Sequence, residues 1–391
     1  MKIVLFAHPA FLGSQSMPRF AEMLRQAYLQ RGHDVEVWQP LPHFFEWFKH
    51  SKLAKWMGYL DQYIVFPAQV KKLLRSQSAD TLFVFCDQAL GPWVPLVAHR
   101  PHVVHVHDLL ALRSALGEVQ ENPTGWTGRI YQRFIRSGFE KGRNFISISA
   151  KSREDLHRTS RVQPAISEVV LNGLNYPFSP MSAEASRQVL EGAGHAVPGE
   201  GFLIFVGGYQ WYKNVPGVLH LYRQYALRSA KPVPLWCVSP MPTPALQAVL
   251  DTLPANASVK FLPGASAAVL HAAYSRARAL LFPSLAEGFG WPIVEAQACG
   301  CPVLTTNEAP MNEVGGPDAR CIPRLLPDEK VEDWATRHVD VLIGLASVEG
   351  EARVALAARC AAWGQSFDAD KAIEGYLAVY ERVLAAAANR Q

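Results

Sequence analysis

The sequence predicts an α/β protein made of two doubly wound domains, each a parallel sheet with helices on both faces. Short runs of β-branched and aromatic residues alternate with longer stretches of helical periodicity along most of the chain. A stretch rich in turn-forming residues interrupts this alternation near the middle, which indicates two units. The length of 391 residues also allows two domains with a core each.

The first domain is assigned to residues 1–180. Its first predicted strand, residues 3–6, is followed by a helical pattern over residues 17–30. Four more runs have strand character and lie at residues 34–38, 81–86, 103–107 and 144–149. This order of elements is typical of a parallel sheet wrapped by helices.

The second domain is assigned to residues 181–391, with a turn-rich junction at about residues 171–200. A helix is predicted over residues 369–387 because its apolar side chains form one stripe, and we expect it to pack back near the first domain. The predicted strands are residues 202–206, 235–238, 259–262, 279–282 and 302–305. Ligands of such sheets bind beyond the carboxyl ends of strands, in this case around a cleft between the domains.

Composition excludes several classes of protein. Apolar residues make up 49% of the chain and charged residues 18%, which disfavours disorder and coiled coil. A net charge of +4 is too small to indicate nucleic-acid binding. No apolar run approaches the ~20 residues that span a bilayer. The six cysteines form no C-x-x-C pair and predict reduced core residues of a cytoplasmic protein, without a disulfide or zinc site.

The strongest constellation follows a predicted buried strand and opens a helix, at residues 282–296. The flexible turn at Gly288, Phe289 and Gly290 lets backbone N–H groups approach a ligand at a helix N-terminus, which favours negative charge. Glu295, on the following helix, can accept hydrogen bonds from two hydroxyls of a ribose. Glu287, at the turn, can orient a sugar hydroxyl or stabilise a developing cation. A helix cap and a solvated surface charge are the alternative interpretation of this carboxylate pair.

The same stretch, continued to Val303, resembles the Glu-x7-Glu signature of retaining GT-B glycosyltransferases, in particular glycosyltransferase family 4. The resemblance extends over most of the chain. It implies two Rossmann-like domains facing a central cleft, the first binding the acceptor and the second binding a nucleotide diphosphate sugar. It also implies transfer of a hexose with retention of configuration. No metal and no other cofactor is expected.

The resemblance assigns roles to further residues. Residues 206–214 resemble the family's phosphate-binding stretch, in which Lys213 matches the lysine that holds the donor diphosphate. Gly208 takes the place of an arginine found in many members. His107, at the end of a predicted strand, resembles the family's donor-contacting histidine. The amides of Gly13 and Ser14 lie where the family has a glycine pair and are candidates to touch the donor phosphate or the acceptor.

Glu287, Lys213 and His107 are therefore the predicted catalytic residues. A double displacement needs a carboxylate under the anomeric carbon, and neither Glu287 nor Glu295 is assigned to that place. We therefore expect front-face departure of the diphosphate toward Lys213 and the Gly288–Gly290 amides. Catalysis would rest on electrostatic stabilisation and positioning.

The prediction of where the acceptor binds rests on residues 44–75, which interleave aromatic and basic side chains. This pattern suits a segment that lies on an anionic bilayer, at the cytoplasmic face of the inner membrane. The first domain carries a net charge of +7 and the second −3, which also favours the first as the membrane-facing half. The candidate membrane or acceptor contacts are Trp47, Phe48, Lys49, Lys52, Lys55 and Trp56. Helices that pack their aromatics into the first domain are the alternative.

Several functional alternatives stay open. A lipid-linked acceptor in bacterial surface polysaccharide assembly favours GDP-mannose as donor, with a UDP-hexose and a soluble acceptor as the second choice. A nucleotide-sugar epimerase shares the GT-B architecture, and a non-catalytic sugar-nucleotide-binding module is the non-enzyme alternative. An NAD enzyme is disfavoured because no G-x-G-x-x-G follows the first strand.

Overall fold

The computed structural model describes residues 1–13 and 16–389, which divide into two compact units. The first unit consists of Met1–Gly173 and the C-terminal segment from Asp370, and the second of Leu174–Ala369. The predicted boundary at residue 180 lies a few residues beyond the observed one. The C-terminal helix, inside the range assigned to the second domain, belongs to the first unit because its apolar stripe is buried there.

The first unit is built on a six-stranded parallel sheet with the order β2-β1-β3-β4-β5-β6. The sequence predicted five of its strands. The sixth is a short edge strand whose two central residues are polar and which is only half-buried, so it lacks the apolar run of its neighbours. The strands are β1 Lys2–Phe6, β2 Asp34–Trp38, β3 Leu82–Phe85, β4 His102–Val106, β5 Asn144–Ser147 and β6 Ile166–Val169.

The second unit contains another six-stranded parallel sheet, with the order β12-β11-β10-β7-β8-β9. The prediction of two parallel sheets is confirmed, although the three-residue edge strand β12 was not predicted. The strands are β7 Phe202–Val206, β8 Leu235–Val238, β9 Val259–Phe261, β10 Ala277–Phe282, β11 Val303–Thr306 and β12 Arg320–Ile322.

Helices cover both sheets. In the first unit they are α1 Ser16–Gln30, α2 His43–Phe48, α3 Ala54–Leu60, α4 Phe66–Leu73, α5 Leu110–Ala115, α6 Trp126–Phe139 and α7 Ala150–Thr159. The second unit has α8 Ala183–Gly192, α9 Val215–Arg228, α10 Pro244–Leu250, α11 Ala267–Arg276, α12 Trp291–Ala298, α13 Met311–Gly315, α14 Val331–Ala346 and α15 Gly350–Gln365. The last helix, α16 Ala369–Ala388, returns to the first sheet. None of the helices in the described ranges is long and apolar enough to cross a membrane.

The strand order of each sheet reverses direction once. In the first sheet β2 lies on one side of β1 and β3 on the other, and in the second sheet β8 and β10 flank β7 in the same way. At such a topological switch point the loops after the two central strands diverge and leave a crevice at the carboxyl edge. The fold therefore offers one ligand crevice at the β1/β3 pair and another at the β7/β10 pair.

Candidate functional site

The β7/β10 switch point of the second unit carries the predicted catalytic lysine and glutamate. Lys213 lies on a short 3₁₀ turn after β7, and Glu287 lies in the loop after β10. The Nζ atom of Lys213 donates a hydrogen bond to Oε1 of Glu287 over 2.8 Å. The fold thus brings the two predicted residues into a direct ion pair, which the sequence did not indicate.

Both members of this pair are largely buried and have further partners. The Lys213 ammonium lies 4.7 Å from the ring centre of Phe282 and 5.4 Å from that of Tyr212. The hydroxyl of Ser284 donates to the same Oε1 of Glu287 over 2.9 Å. An ammonium has three N–H groups, so Lys213 can hold Glu287 and still donate to an anionic ligand.

The two loops that carry Lys213 and Glu287 are linked to each other by hydrogen bonds. The backbone N–H of Leu285 donates to the Tyr212 carbonyl over 2.7 Å, and the Asn214 side-chain amide donates to the Pro283 carbonyl over 3.0 Å. Arg324, which follows β12, donates to the Leu285 carbonyl over 2.8 Å. Because these contacts fix the loop backbones, the ion pair is held in place before any ligand binds. Arg324 was not singled out from the sequence, since nothing local marks it.

The glycine turn leads directly into helix α12. Gly290 precedes that helix with φ 98°, a left-handed conformation that favours glycine. The Phe289 side chain is buried against Trp291 and Phe367, so only its backbone can face a ligand. Gly288 lies between this turn and Glu287. The predicted role of backbone amides at a helix N-terminus is therefore compatible with the local geometry.

Glu295 lies on α12 and is buried, in contrast to a solvated surface charge. Its Oε2 accepts a hydrogen bond from the Tyr274 hydroxyl over 3.1 Å. Burial raises the pKa of Glu295 to about 7, while the Tyr274 hydrogen bond and the charge of Lys213 oppose that rise. The influence of Lys213 indicates that Glu295 belongs to the same electrostatic site. Tyr274 was missed because it lies on α11, outside any motif.

Gly208 has room for a side chain only if Gln210 moves. A Cβ at Gly208 would lie 2.7 Å from Oε1 of Gln210, which is the flexible end of an exposed side chain. The backbone of Gly208 is not in the left-handed region. The fold could therefore accommodate the arginine that the family pattern has at this position, provided that the Gln210 side chain moves aside.

The remaining predicted donor contacts lie in the first unit. His107 follows β4 and is buried, with Nε2 donating to the Cys86 carbonyl over 2.8 Å. Burial lowers the pKa of His107, so the ring is neutral near pH 7. Gly13 closes a 3₁₀ turn with φ 72° and is exposed. Ser14 lies outside the described residues.

The predicted membrane segment forms helices α2, α3 and α4. The alternative in which its aromatics all pack inward is wrong for Trp47 and Trp56, which are 76% and 62% exposed. Phe48 is also exposed, as are Lys49, Lys52 and Lys55. Other aromatic side chains of the segment do pack inward, so the segment has a buried face and an exposed face.

Helix α6, which is not part of the predicted membrane segment, extends this exposed face. Trp126, Ile130 and Phe134 recur at every fourth position, and Trp126 is 74% exposed. The Tyr131 ring of α6 stacks on Tyr59 of α3 at 5.7 Å, which places the two helices side by side. We call five of the exposed apolar side chains on these helices the aromatic patch: Trp47, Trp56, Trp126, Ile130 and Phe134. The four-residue spacing in α6 was the available signal.

No metal centre is apparent in the part of the chain that the structure describes, which holds no group of three or more His, Cys, Asp and Glu side chains suited to a metal ion. Five of the six cysteines are buried and unpaired. Cys321, on the edge strand β12, is exposed, so the prediction that all six are core residues is wrong at this position.

Two family models match the chain and define its class. A Glycosyltransferase Family 4 model matches residues 17–176, and a Glycosyl transferases group 1 model matches residues 200–343. The first match lies almost wholly in the first unit and the second lies within the second unit. Together with the two parallel sheets, these matches show that the chain belongs to the GT-B glycosyltransferases of family 4 and group 1.

Particular relatives agree with this class at low identity. The chain is 23% identical over 190 residues to the O-antigen chain mannosyltransferase B of Escherichia coli, covering 48% of this chain and 49% of that protein. It is 25% identical over 287 residues to the MMP alpha-(1->4)-mannosyltransferase of Mycolicibacterium hassiacum, covering 70% of this chain and 65% of that one. The chain therefore spans between half and two thirds of the length of these relatives.

The fold also matches solved structures. The crystal structure of WaaG, a glycosyltransferase involved in lipopolysaccharide biosynthesis, has a TM-score of 0.67 with this chain at 15% identity, covering 96% of this chain and 98% of that one. At this identity the match shows a shared fold.

Proposed function

We propose that the protein transfers a hexose from a nucleotide diphosphate sugar to a glycan acceptor, with retention of configuration. The observation that carries this proposal is the Lys213–Glu287 ion pair at the β7/β10 switch point, next to the glycine turn at the N-terminus of α12. A cation and backbone amides at such a crevice suit a diphosphate, and a neighbouring carboxylate suits sugar hydroxyls.

Each group of the site then has a role in the reaction. The diphosphate is held by Lys213 and the Gly288–Gly290 amides, and the ribose hydroxyls donate to Glu295. The bond between the anomeric carbon and the diphosphate oxygen breaks, and the bond to the acceptor oxygen forms on the same face. The acceptor proton passes to the departing phosphate oxygen. Glu287, held by Lys213 and Ser284, accepts hydrogen bonds from the transferred sugar and stabilises its positive charge in the transition state.

GDP-mannose is the proposed donor, supported by the mannosyltransferases among the relatives. A thermal-shift screen of GDP- and UDP-sugars tests this choice, because a bound ligand stabilises the folded state. We expect GDP-mannose to give the largest shift, and proton NMR of the product should show the anomeric configuration of the donor. A larger shift with a UDP-hexose would contradict the donor assignment. Isomerised sugar formed from the donor alone would favour an epimerase, and binding without any transfer would favour a non-catalytic module.

Gly208→Arg is expected to raise kcat/KM for the donor by at least about tenfold, since a charged hydrogen bond to the leaving diphosphate contributes roughly 1.5–3 kcal/mol. Initial rates at varied donor concentration measure the effect. Gly208→Gln is the matched control, because it displaces Gln210 to a similar degree without adding charge. Equal rates for the two variants would show that the arginine position plays no part here.

The acceptor is proposed to be lipid-linked and presented at an anionic membrane surface. This proposal is supported by the aromatic patch and by the exposed lysines beside it. Lys49 is paired with Glu46, whereas Lys55 lies 5.9 Å from the Tyr59 ring centre. Exposed tryptophans with flanking lysines suit the boundary between headgroups and acyl chains.

Flotation with vesicles that contain phosphatidylglycerol tests the membrane proposal. Each basic residue near an anionic surface contributes about 1 kcal/mol, so changing Lys49, Lys52 and Lys55 to Glu should reduce binding by at least about a hundredfold. A charge-matched control changes three exposed lysines elsewhere, Lys141, Lys231 and Lys330, and should retain binding. Equal binding by both triple variants, or no binding by the unaltered protein, would favour a soluble acceptor.

A further inference from the structure

The β1/β3 switch point of the first unit holds a second acid–base pair, between His8 and Asp87. His8 follows β1 and Asp87 follows β3, which are the two strands where the sheet order reverses. The Nε2 atom of His8 lies 2.8 Å from Oδ2 of Asp87. Their side chains are 17% and 10% exposed, so neither is sealed from solvent. The two residues are 79 positions apart, so no short motif contains both.

The pair fixes which nitrogen of His8 carries a proton. Burial disfavours ionisation of Asp87, but the hydrogen bond from His8, electrostatic attraction to His8 and His107, and the Ala89 backbone N–H together outweigh it, so the pKa of Asp87 lies below its usual value. An ionised carboxylate only accepts hydrogen bonds, so Nε2 of His8 must be the donor. In the neutral ring the lone pair is then on Nδ1. Among the described residues, Nδ1 of His8 has no hydrogen-bond partner.

The groups around His8 are also polar and fixed. His107 follows β4, the next strand of the sheet, and its ring is neutral. Its backbone N–H donates to Oε1 of Gln88 over 2.9 Å, and the Gln88 amide donates to the Asp108 carbonyl. The carboxyl edge of the first sheet therefore offers a preorganised hydrogen-bond acceptor, Nδ1 of His8. Neighbouring side chains at this edge are held in place by their own hydrogen bonds.

We propose that Nδ1 of His8, oriented by Asp87, accepts a hydrogen bond from a hydroxyl of the acceptor glycan. This inference rests on the proposed function and assigns the acceptor site within the first unit. A hydroxyl is the matching donor for a neutral imidazole nitrogen, and the switch-point crevice is where sheets of this type bind ligands. Asp87 acts as a positioning residue, since its carboxylate fixes the tautomer and the ring orientation. Each sheet then has one pair of a basic and an acidic side chain at its switch point, His8–Asp87 in the first unit and Lys213–Glu287 in the second.

Transfer from GDP-mannose to octyl α-D-mannopyranoside tests the inference. His8→Phe keeps a ring of similar shape without its nitrogens and should raise the acceptor KM by about tenfold or more, with the donor KM unchanged. Asp87→Asn should have a smaller effect in the same direction. His99→Phe, an exposed histidine at the other edge of the sheet, is the control and should match the unaltered protein.

A purely structural role for the pair predicts a different result. In that case His8→Phe lowers the melting temperature but leaves the acceptor KM unchanged, which would overturn the inference. If His8→Phe does not fold, ¹⁵N-histidine NMR of the unaltered chain gives the answer. The Nδ1 signal of His8 should shift when octyl α-D-mannopyranoside is added, and an unmoved signal would overturn the inference. Failure of GDP-mannose and UDP-hexoses to bind at all would instead contradict the proposed function, and the inference with it.

Discussion

Lys213→Ala is expected to lower kcat/KM for the donor by about 100- to 1,000-fold, because removing one preorganised charged donor from a developing anion typically has that effect. Both turnover and donor affinity should fall, since the same ammonium holds the diphosphate before and during its departure. The loss is increased by the state of Glu287, which would be left with Ser284 as its remaining hydrogen-bond partner. Initial rates with radiolabelled donor measure the effect. Near-normal sugar transfer would contradict the assignment.

Two companion variants make this result specific. Glu287→Ala should reduce turnover with little change in donor affinity, and the double variant should lose less than the two single losses combined, because the two residues form one pair. Lys260→Ala is the matched control for the loss of a lysine that packs on an aromatic ring, since Lys260 lies 4.8 Å from the ring centre of Trp236. It should leave the rate unchanged.

Donor affinity is expected to rise about tenfold between pH 6 and pH 8. Burial raises the pKa of Glu295 to about 7, and the ionised carboxylate accepts hydrogen bonds from a ribose diol on both oxygens more strongly than the neutral acid, whose O–H is itself a donor. Isothermal titration calorimetry with GDP-mannose at several pH values measures the trend. Glu295→Gln keeps the shape of the side chain but cannot ionise, so its affinity should be weaker at pH 8 and independent of pH. An identical pH dependence in this variant would assign the effect to another group.

The same carboxyl group affects stability in the opposite direction. Its pKa in the folded protein, about 7, exceeds its ordinary value of 4.5, so the folded state binds the proton more tightly than the unfolded state. The stabilisation is therefore fully present below pH 4.5 and is lost as the pH rises to about 7, by roughly 3 kcal/mol in total. Glu295→Gln should accordingly unfold at a higher temperature than the unaltered protein at pH 8. The group that favours donor binding thus costs stability at the same pH.

The sequence predicted the fold well because its central strands are buried on both faces and appear as continuous apolar runs, as β3 and β7 do. It could not predict β6 and β12, whose edge positions leave half-buried or exposed residues with no apolar run. Helix α6 was not singled out either. Its exposed Trp126 and Ile130 have helical spacing, but only the structure shows that this face is left uncovered.

The sequence could not predict which residues of the site contact each other, because those contacts depend on the order of the strands in each sheet. Glu287 and Glu295 could be found because one short motif contains both, whereas the contact between Lys213 and Glu287 joins residues 74 positions apart. The His8–Asp87 pair joins residues 79 positions apart. In both cases the partners meet because their strands are neighbours at a switch point, a property of strand order that local spacing does not contain. Tyr274 reaches Glu295 from a different helix for a similar reason.

The return of helix α16 to the first unit has a consequence for biosynthesis. The Tyr380 hydroxyl hydrogen-bonds to His105 over 2.7 Å and to Tyr28 over 3.0 Å, so the core of the first unit includes side chains that are synthesised after the second unit. The second unit is one continuous segment, Leu174–Ala369, so all of its residues are synthesised before the rest of helix α16. During synthesis the second unit can therefore complete its core first, while the sheet of the first unit stays partly uncovered until helix α16 has been made.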